Sequence, residues 1–111
     1  AILIDRVFTD TLVGKDYQDF IKSALMRCQT GPDKISAALS EREDITIGHK
    51  TGSGYRDDNG RLAASNDVAF ITLPDGRHYS LAVFVKDFDG TDAEAAATIA
   101  RISEAVIKAL E

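Results

Sequence analysis

Apolar residues fall at four-residue intervals at the start of the chain: Ile4, Phe8 and Leu12, with Leu3 and Val7 beside them. A single helical face repeats with that period, so the spacing predicts a helix ending at Val13-Gly14, with Gly14 as its C-cap. Asp16 stands near the start of a second helix, in which Tyr17, Phe20, Ile21, Ala24, Leu25 and Cys28 keep the helical spacing. Thr30-Gly31-Pro32 stops it, and residues 33–39 form a short helix with Ile35 and Leu39 inward. Residues 40–44 are polar and read as an exposed connection. The period then changes from helical to two-fold. Ile45, Ile47 and His49 alternate with Thr46 and Gly48, as in a strand. Residues 52–65, rich in Gly, Asp, Asn and Arg, read as a loop. Residues 68–73 and 79–85 are β-rich runs joined by Pro74-Asp75-Gly76-Arg77, a hairpin turn in which Pro fixes φ and Gly accepts a left-handed position. Thr91-Asp92-Ala93-Glu94 has capping-box spacing, and Ile99, Ile102, Val106 and Leu110 carry a last amphipathic helix.

The order is therefore helix, helix, short helix, three antiparallel strands, helix. The fold class is α/β (α+β): an antiparallel sheet of at least three strands flanked by helices. Both later strands are apolar on both faces, so the sheet needs cover on two sides. The last helix covers one. The expectation is that segments outside this chain, rather than its own first helices, cover the other. The chain opens Ala1-Ile2-Leu3-Ile4 with no capping residue ahead of the apolar run, so it is expected to start inside a helix of something longer.

Length and composition narrow the function. A chain of 111 residues holds one modest domain, and 44% apolar with 28% charged residues is globular composition. The net charge of −5 argues against a general nucleic-acid binder, which needs a concentrated basic face. No apolar run approaches the roughly 18 residues that would span a bilayer. Cys28 is the single cysteine, so no disulfide forms within the chain; it is expected to be a small buried hydrophobe.

Candidate chemistry concentrates in His49-Lys50-Thr51-Gly52-Ser53-Gly54, at the end of the first strand. The Lys50 ammonium is a point charge for an anionic group, and the Thr51 and Ser53 hydroxyls can donate to a carboxylate. Gly52 lets a substrate approach the backbone closely, and the Ser53 N–H can polarise a carbonyl as part of an oxyanion hole. The same residues are also consistent with a strand running into a glycine-rich turn. Other constellations are weaker. His49 and His78 have no Cys or carboxylate at metal spacing, and His49 reads as a strand-packing residue or one that supports the site from behind. Gly52-Ser53-Gly54 lacks the third glycine and helix of a dinucleotide fingerprint. Asp57-Asp58-Asn59-Gly60 lacks the glutamate of a calcium loop. No cofactor and no metal enters the reading.

Taken together, Gly48-His49-Lys50-Thr51-Gly52-Ser53-Gly54, Ser65-Asn66-Asp67-Val68-Ala69-Phe70-Ile71, Leu73-Pro74-Asp75-Gly76 and Tyr79 to Asp87 resemble the C-terminal third of the class A serine β-lactamases. Thr30-Gly31-Pro32-Asp33-Lys34-Ile35 is similar to the element that precedes their Lys-Thr-Gly strand, and the long loop 55–64 resembles the cephalosporinase-like branch. The resemblance implies a serine hydrolase that opens the β-lactam ring through an acyl-enzyme, and with it antibiotic resistance. It implies roles for Lys50 in the electrostatics of the site, for Thr51 and Ser53 in binding the substrate carboxylate, for Gly52 in substrate binding, and for the Ser53 N–H as an oxyanion donor. Residues 1–44 are then a helical segment bordering a helical domain, and residues 45–111 three strands and the last helix of an α/β domain that is incomplete. The arginine that many relatives place before the second of these strands is Ser65 here, and Arg61 or Arg56 is expected to replace it. No serine is followed by lysine three residues on, and Ser65-Asn66-Asp67 is not Ser-Asp-Asn. The nucleophile and the deacylating glutamate are thus expected outside this chain, which alone should be inactive and should need the rest of the protein or associate with itself. The expected location is periplasmic or extracellular. The rivals are part of a penicillin-binding transpeptidase or carboxypeptidase, and a non-catalytic self-associating module.

Overall fold

The computed structural model describes residues 1–111 throughout. The chain forms α1 (Ile2–Thr9), α2 (Lys15–Met26), a 3₁₀ turn (Ile35–Leu39), β1 (Thr46–Ser53), β2 (Leu62–Thr72), β3 (His78–Phe88) and α3 (Asp92–Leu110). The strands are antiparallel in the order β1-β2-β3, which makes β1 an edge strand. This is the α+β arrangement that the change of hydrophobic period predicts.

One face of the sheet packs on α3 and the 3₁₀ turn. Ala69 and Ile71 of β2, Val83 of β3, Ile99 and Ile107 of α3, and Ile35 and Leu39 of the turn make one continuous core. The start of α3 is fixed as the capping box requires: the Glu94 N–H donates to the Thr91 hydroxyl at 3.0 Å, and the Thr91 N–H to the Glu94 carboxylate at 3.1 Å.

The other face meets α1 and α2. The Phe8 ring stacks on Phe70 with centroids 4.5 Å apart. A Cβ on Gly48 would lie 2.6 Å from Phe8 and 3.1 Å from the Met26 sulfur, so Gly48 is what lets the helices close on β1. The first helices, not outside segments, therefore cover the Gly48–Phe70 half of this face. Phe84, further along the same face, stays exposed.

Three details depart from the periodicity. First, α1 stops at Thr9, because Asp10 turns extended and its carboxylate accepts from the Thr11 N–H at 2.8 Å. Leu12 falls outside the helix, and Gly14 caps the start of α2 rather than the end of α1. Second, the apolar stripe of α2 points outward: Tyr17 and Phe20 are exposed, whereas Gln18 is buried. The Gln18 carboxamide oxygen accepts from the Leu12 N–H at 2.7 Å, and its NH₂ donates to the carbonyls of Val7 and Asp10. One amide thus satisfies the turn between the two helices, which decides which side of α2 faces in. Third, β1 runs to Ser53 and β2 starts at Leu62, so the connection shrinks to 54–61. The extra pairing was hidden because Ser65 and Asp67, polar in sequence, are inward residues of β2. No helix is long and apolar enough to cross a membrane.

Candidate functional site

The lengthened strand carries Lys50-Thr51-Gly52-Ser53 along the free edge of the sheet. The Gly54 N–H donates to the Ala64 carbonyl at 2.8 Å, and Ser53 stands opposite Ser65. Inward and outward N–H groups alternate in an antiparallel ladder, so the Ser53 N–H points to the free edge. Gly52 and Ser53 are exposed, and a Cβ on Gly52 would touch nothing within 4 Å. No part of this chain's own core plugs that edge. Lys50 is exposed and its ammonium turns onto the Thr51 carbonyl.

Behind the edge lies the segment that joins α2 to the 3₁₀ turn. The Thr30 hydroxyl is 2.6 Å from the Thr51 hydroxyl. Gly31 has φ +60°, and a Cβ there would sit 2.5 Å from the Thr51 methyl, so both conformation and space require glycine. Lys34 follows. It is buried, and its ammonium donates to the Asn66 carbonyl at 3.2 Å and to the Gly52 carbonyl and Ser53 hydroxyl at 3.4 Å. This is the cation that the structure brings to Ser53.

The two arginines of the 54–61 connection do not contact Ser53 in this structure. Arg56 donates to the carbonyls of Gly60 and Gly90 and pairs with Asp92 at 2.6 Å, tying the loop to the start of α3. Arg61 is exposed and is paired through its backbone with Asp57, four residues along the ladder from Ser53. That is about 13 Å of strand at ~3.3 Å per residue, beyond the reach of its side chain. Lys34 arrives from a segment nineteen positions before Ser53. Its only sequence signal is its place in Thr30-Gly31-Pro32-Asp33-Lys34-Ile35, next to a fully inward isoleucine.

Beneath the strand lies a buried acid–base pair. Asp67 has no exposed surface; its carboxylate accepts from the Ile35 N–H at 3.1 Å and meets His49 Nδ1 at 3.1 Å. The hydrogen bond to Asp67 raises the pKa of His49 above the ordinary histidine value, against the opposing effect of burial. His49 is thus a strand-packing residue, as expected, with a specific partner that the sequence did not single out. His49 Nε2 also lies 3.4 Å from the Ser36 hydroxyl, which gives Ser36, His49 and Asp67 the connectivity of a hydrolytic triad. None of the three surface cavities is lined by any of these residues, so no substrate reaches them there. Cys28 is half-buried just beyond α2, its sulfur 3.4 Å from the Thr30 hydroxyl, rather than a core hydrophobe.

Comparison with known proteins gives this geometry its context. The model of the beta-lactamase enzyme family matches residues 1–110. A beta-lactamase of Phocaeicola vulgatus is 50% identical over 99% of this chain and 34% of its own length. The extended-spectrum beta-lactamase PER-1 of Pseudomonas aeruginosa is 34% identical over 94% of this chain and 33% of its own. The crystal structure of a class A beta-lactamase representative from Bacteroides cellulosilyticus superposes with a TM-score of 0.88 at 39% identity, covering 98% of this chain and 39% of that one. The chain spans about a third of the length of these curated relatives.

Proposed function

Since this chain belongs to the beta-lactamase enzyme family, we propose that it forms the substrate-binding wall of a class A serine enzyme that hydrolyses β-lactams. The observation that carries the proposal is the open β1 edge, where the Ser53 N–H turns outward and the Ser53 hydroxyl lies 3.4 Å from the buried Lys34 ammonium. A β-lactam presents two groups to such an edge: a carbonyl that becomes an oxyanion and a carboxylate on the fused ring. The Ser53 N–H stabilises the developing oxyanion, a contribution that grows in the transition state. The Thr51 and Ser53 hydroxyls and the Lys34 charge hold the carboxylate. Lys50, on the face that also carries Val68, raises the positive potential where the acylated serine would stand.

The attacking serine and the deacylating glutamate come, in this proposal, from polypeptide beyond these 111 residues. Two facts support that division: no serine here is followed by lysine at the third position, and the curated relatives are about three times as long. Residues 1–44 then border a helical domain and 45–111 contribute to the α/β domain. The enzyme would work in the periplasm or outside the cell, where β-lactams meet their targets.

The test is to join this chain to the preceding two thirds of the Phocaeicola vulgatus relative and measure turnover of a chromogenic cephalosporin. Hydrolysis by the joined protein, lost by at least about a hundred-fold on Lys50→Ala, is expected. An inactive but folded joined protein overturns the proposal, as does turnover by the 111-residue chain alone.

A further inference from the structure

The segment that delivers Lys34 is held through both backbone groups of a single residue, Ile35. The Ile35 N–H, which belongs to the Lys34–Ile35 peptide, donates to Asp67, and the Ile35 carbonyl accepts from the Ser103 hydroxyl of α3 at 2.9 Å. Ile35, Asp67 and Ser103 have no exposed surface. A carboxylate in such a place is costly unless its oxygens are matched, and the second oxygen of Asp67 is matched by His49. His49 and Asp67 sit on adjacent strands, and the register that places Asp67 opposite Thr51 makes them diagonal neighbours on one face. The hydrolytic chemistry set out above uses neither residue.

We propose that His49 and Asp67 are a positioning pair for the carboxylate-binding end of the cleft: His49 fixes the Asp67 carboxylate, Asp67 clamps the Lys34–Ile35 peptide, and the clamp delivers the Lys34 ammonium to Ser53. The proposal rests on the reading of this edge as a β-lactam site and adds what tunes its selectivity for anionic substrates. A clamp is needed because lysine is long and flexible. Left free it loses the geometry that makes one charge discriminate a carboxylate from its neutral ester.

The experiment compares a free-carboxylate cephalosporin with its methyl ester in the joined protein described above. His49→Leu removes the donor to Asp67 while keeping a similar bulk. It is expected to raise KM for the free acid about ten-fold, with kcat little changed, and to leave the ester within about two-fold. His49→Asn keeps a donor near the Nδ1 position and should restore most of the preference. In a Lys34→Met background His49→Leu should have no further effect on the acid-to-ester ratio, because the pair acts through Lys34. If His49→Leu does not fold, His49→Gln, which keeps a polar group toward Ser36 but loses the Nδ1 donor, is read in the same way. Equal loss of both substrates, or an effect that adds to Lys34→Met, overturns the proposal. A crystal structure of the His49 variant decides it without turnover. Displacement of the Lys34 ammonium from the Ser53 hydroxyl supports the clamp; an unmoved ammonium overturns it. An inactive parent would refute the β-lactam reading alone, since the crystal comparison still judges the clamp.

Discussion

Lys34 and Lys50 show how two identical side chains acquire different work from their surroundings. Lys50 is exposed with its ammonium on the Thr51 carbonyl, whereas Lys34 is enclosed with three oxygen acceptors around its ammonium. Gly31, packed against the Thr51 methyl and the Lys34 side chain, allows the close approach of Thr30 to Thr51. Gly31→Ala places a methyl 2.5 Å from the Thr51 methyl on a left-handed backbone, and is expected to destabilise the protein by more than about 1 kcal/mol, read from a denaturant midpoint. His49 makes a pH prediction with a definite sign. Its folded pKa lies above the ordinary 6.5 because of the hydrogen bond to Asp67. Folding therefore favours the protonated ring. The stabilisation is fully present below pH 6.5 and is lost as pH rises through the folded value. Urea unfolding measured across that range should show stability falling with pH, and the fall should be absent in His49→Asn.

Among the elements, the termini of the helices carry the specific interactions. The capping box of α3 was readable from four consecutive residues because it is local, and its loss should be local too. Thr91→Ala is expected to cost about 1 kcal/mol, seen as a lower unfolding midpoint. The α1–α2 turn works differently, since Gln18 closes it through contacts with Val7, Asp10, Leu12 and Val13. Gln18→Leu preserves helix propensity yet leaves these backbone groups unmatched, so it should destabilise by about 1–3 kcal/mol despite adding an apolar residue to a buried position. Faster amide exchange at Leu12 would mark the cause.

At the scale of the molecule, the two faces of the sheet are not equivalent. The α3 face is closed over a continuous core. The opposite face leaves Phe84 exposed beside an apolar cavity of about 370 Å³ lined by residues such as Ile2, Leu3, Leu25, Val68 and Ala82. Tyr17 and Phe20 are also exposed on α2, and large exposed apolar patches favour association. Sedimentation of the 111-residue chain alone should therefore give a mass above 12.0 kDa. In the joined protein a monomer is expected.

Sequence alone determined the kinds and order of elements, the hairpin at Pro74–Arg77 and the α3 cap. Each is written in short-range spacing, and short-range spacing sets helical period, strand alternation and turn geometry. Tertiary structure decided which faces point inward and which distant residues meet. Gln18 is buried and Phe20 exposed because a turn's backbone needed partners. Lys34 rather than Arg61 reaches Ser53, and His49 finds Asp67, because strand register and the path of residues 30–35 bring them together. Pairings across the fold depend on three-dimensional packing, and hydrophobic periodicity along the chain holds no record of it.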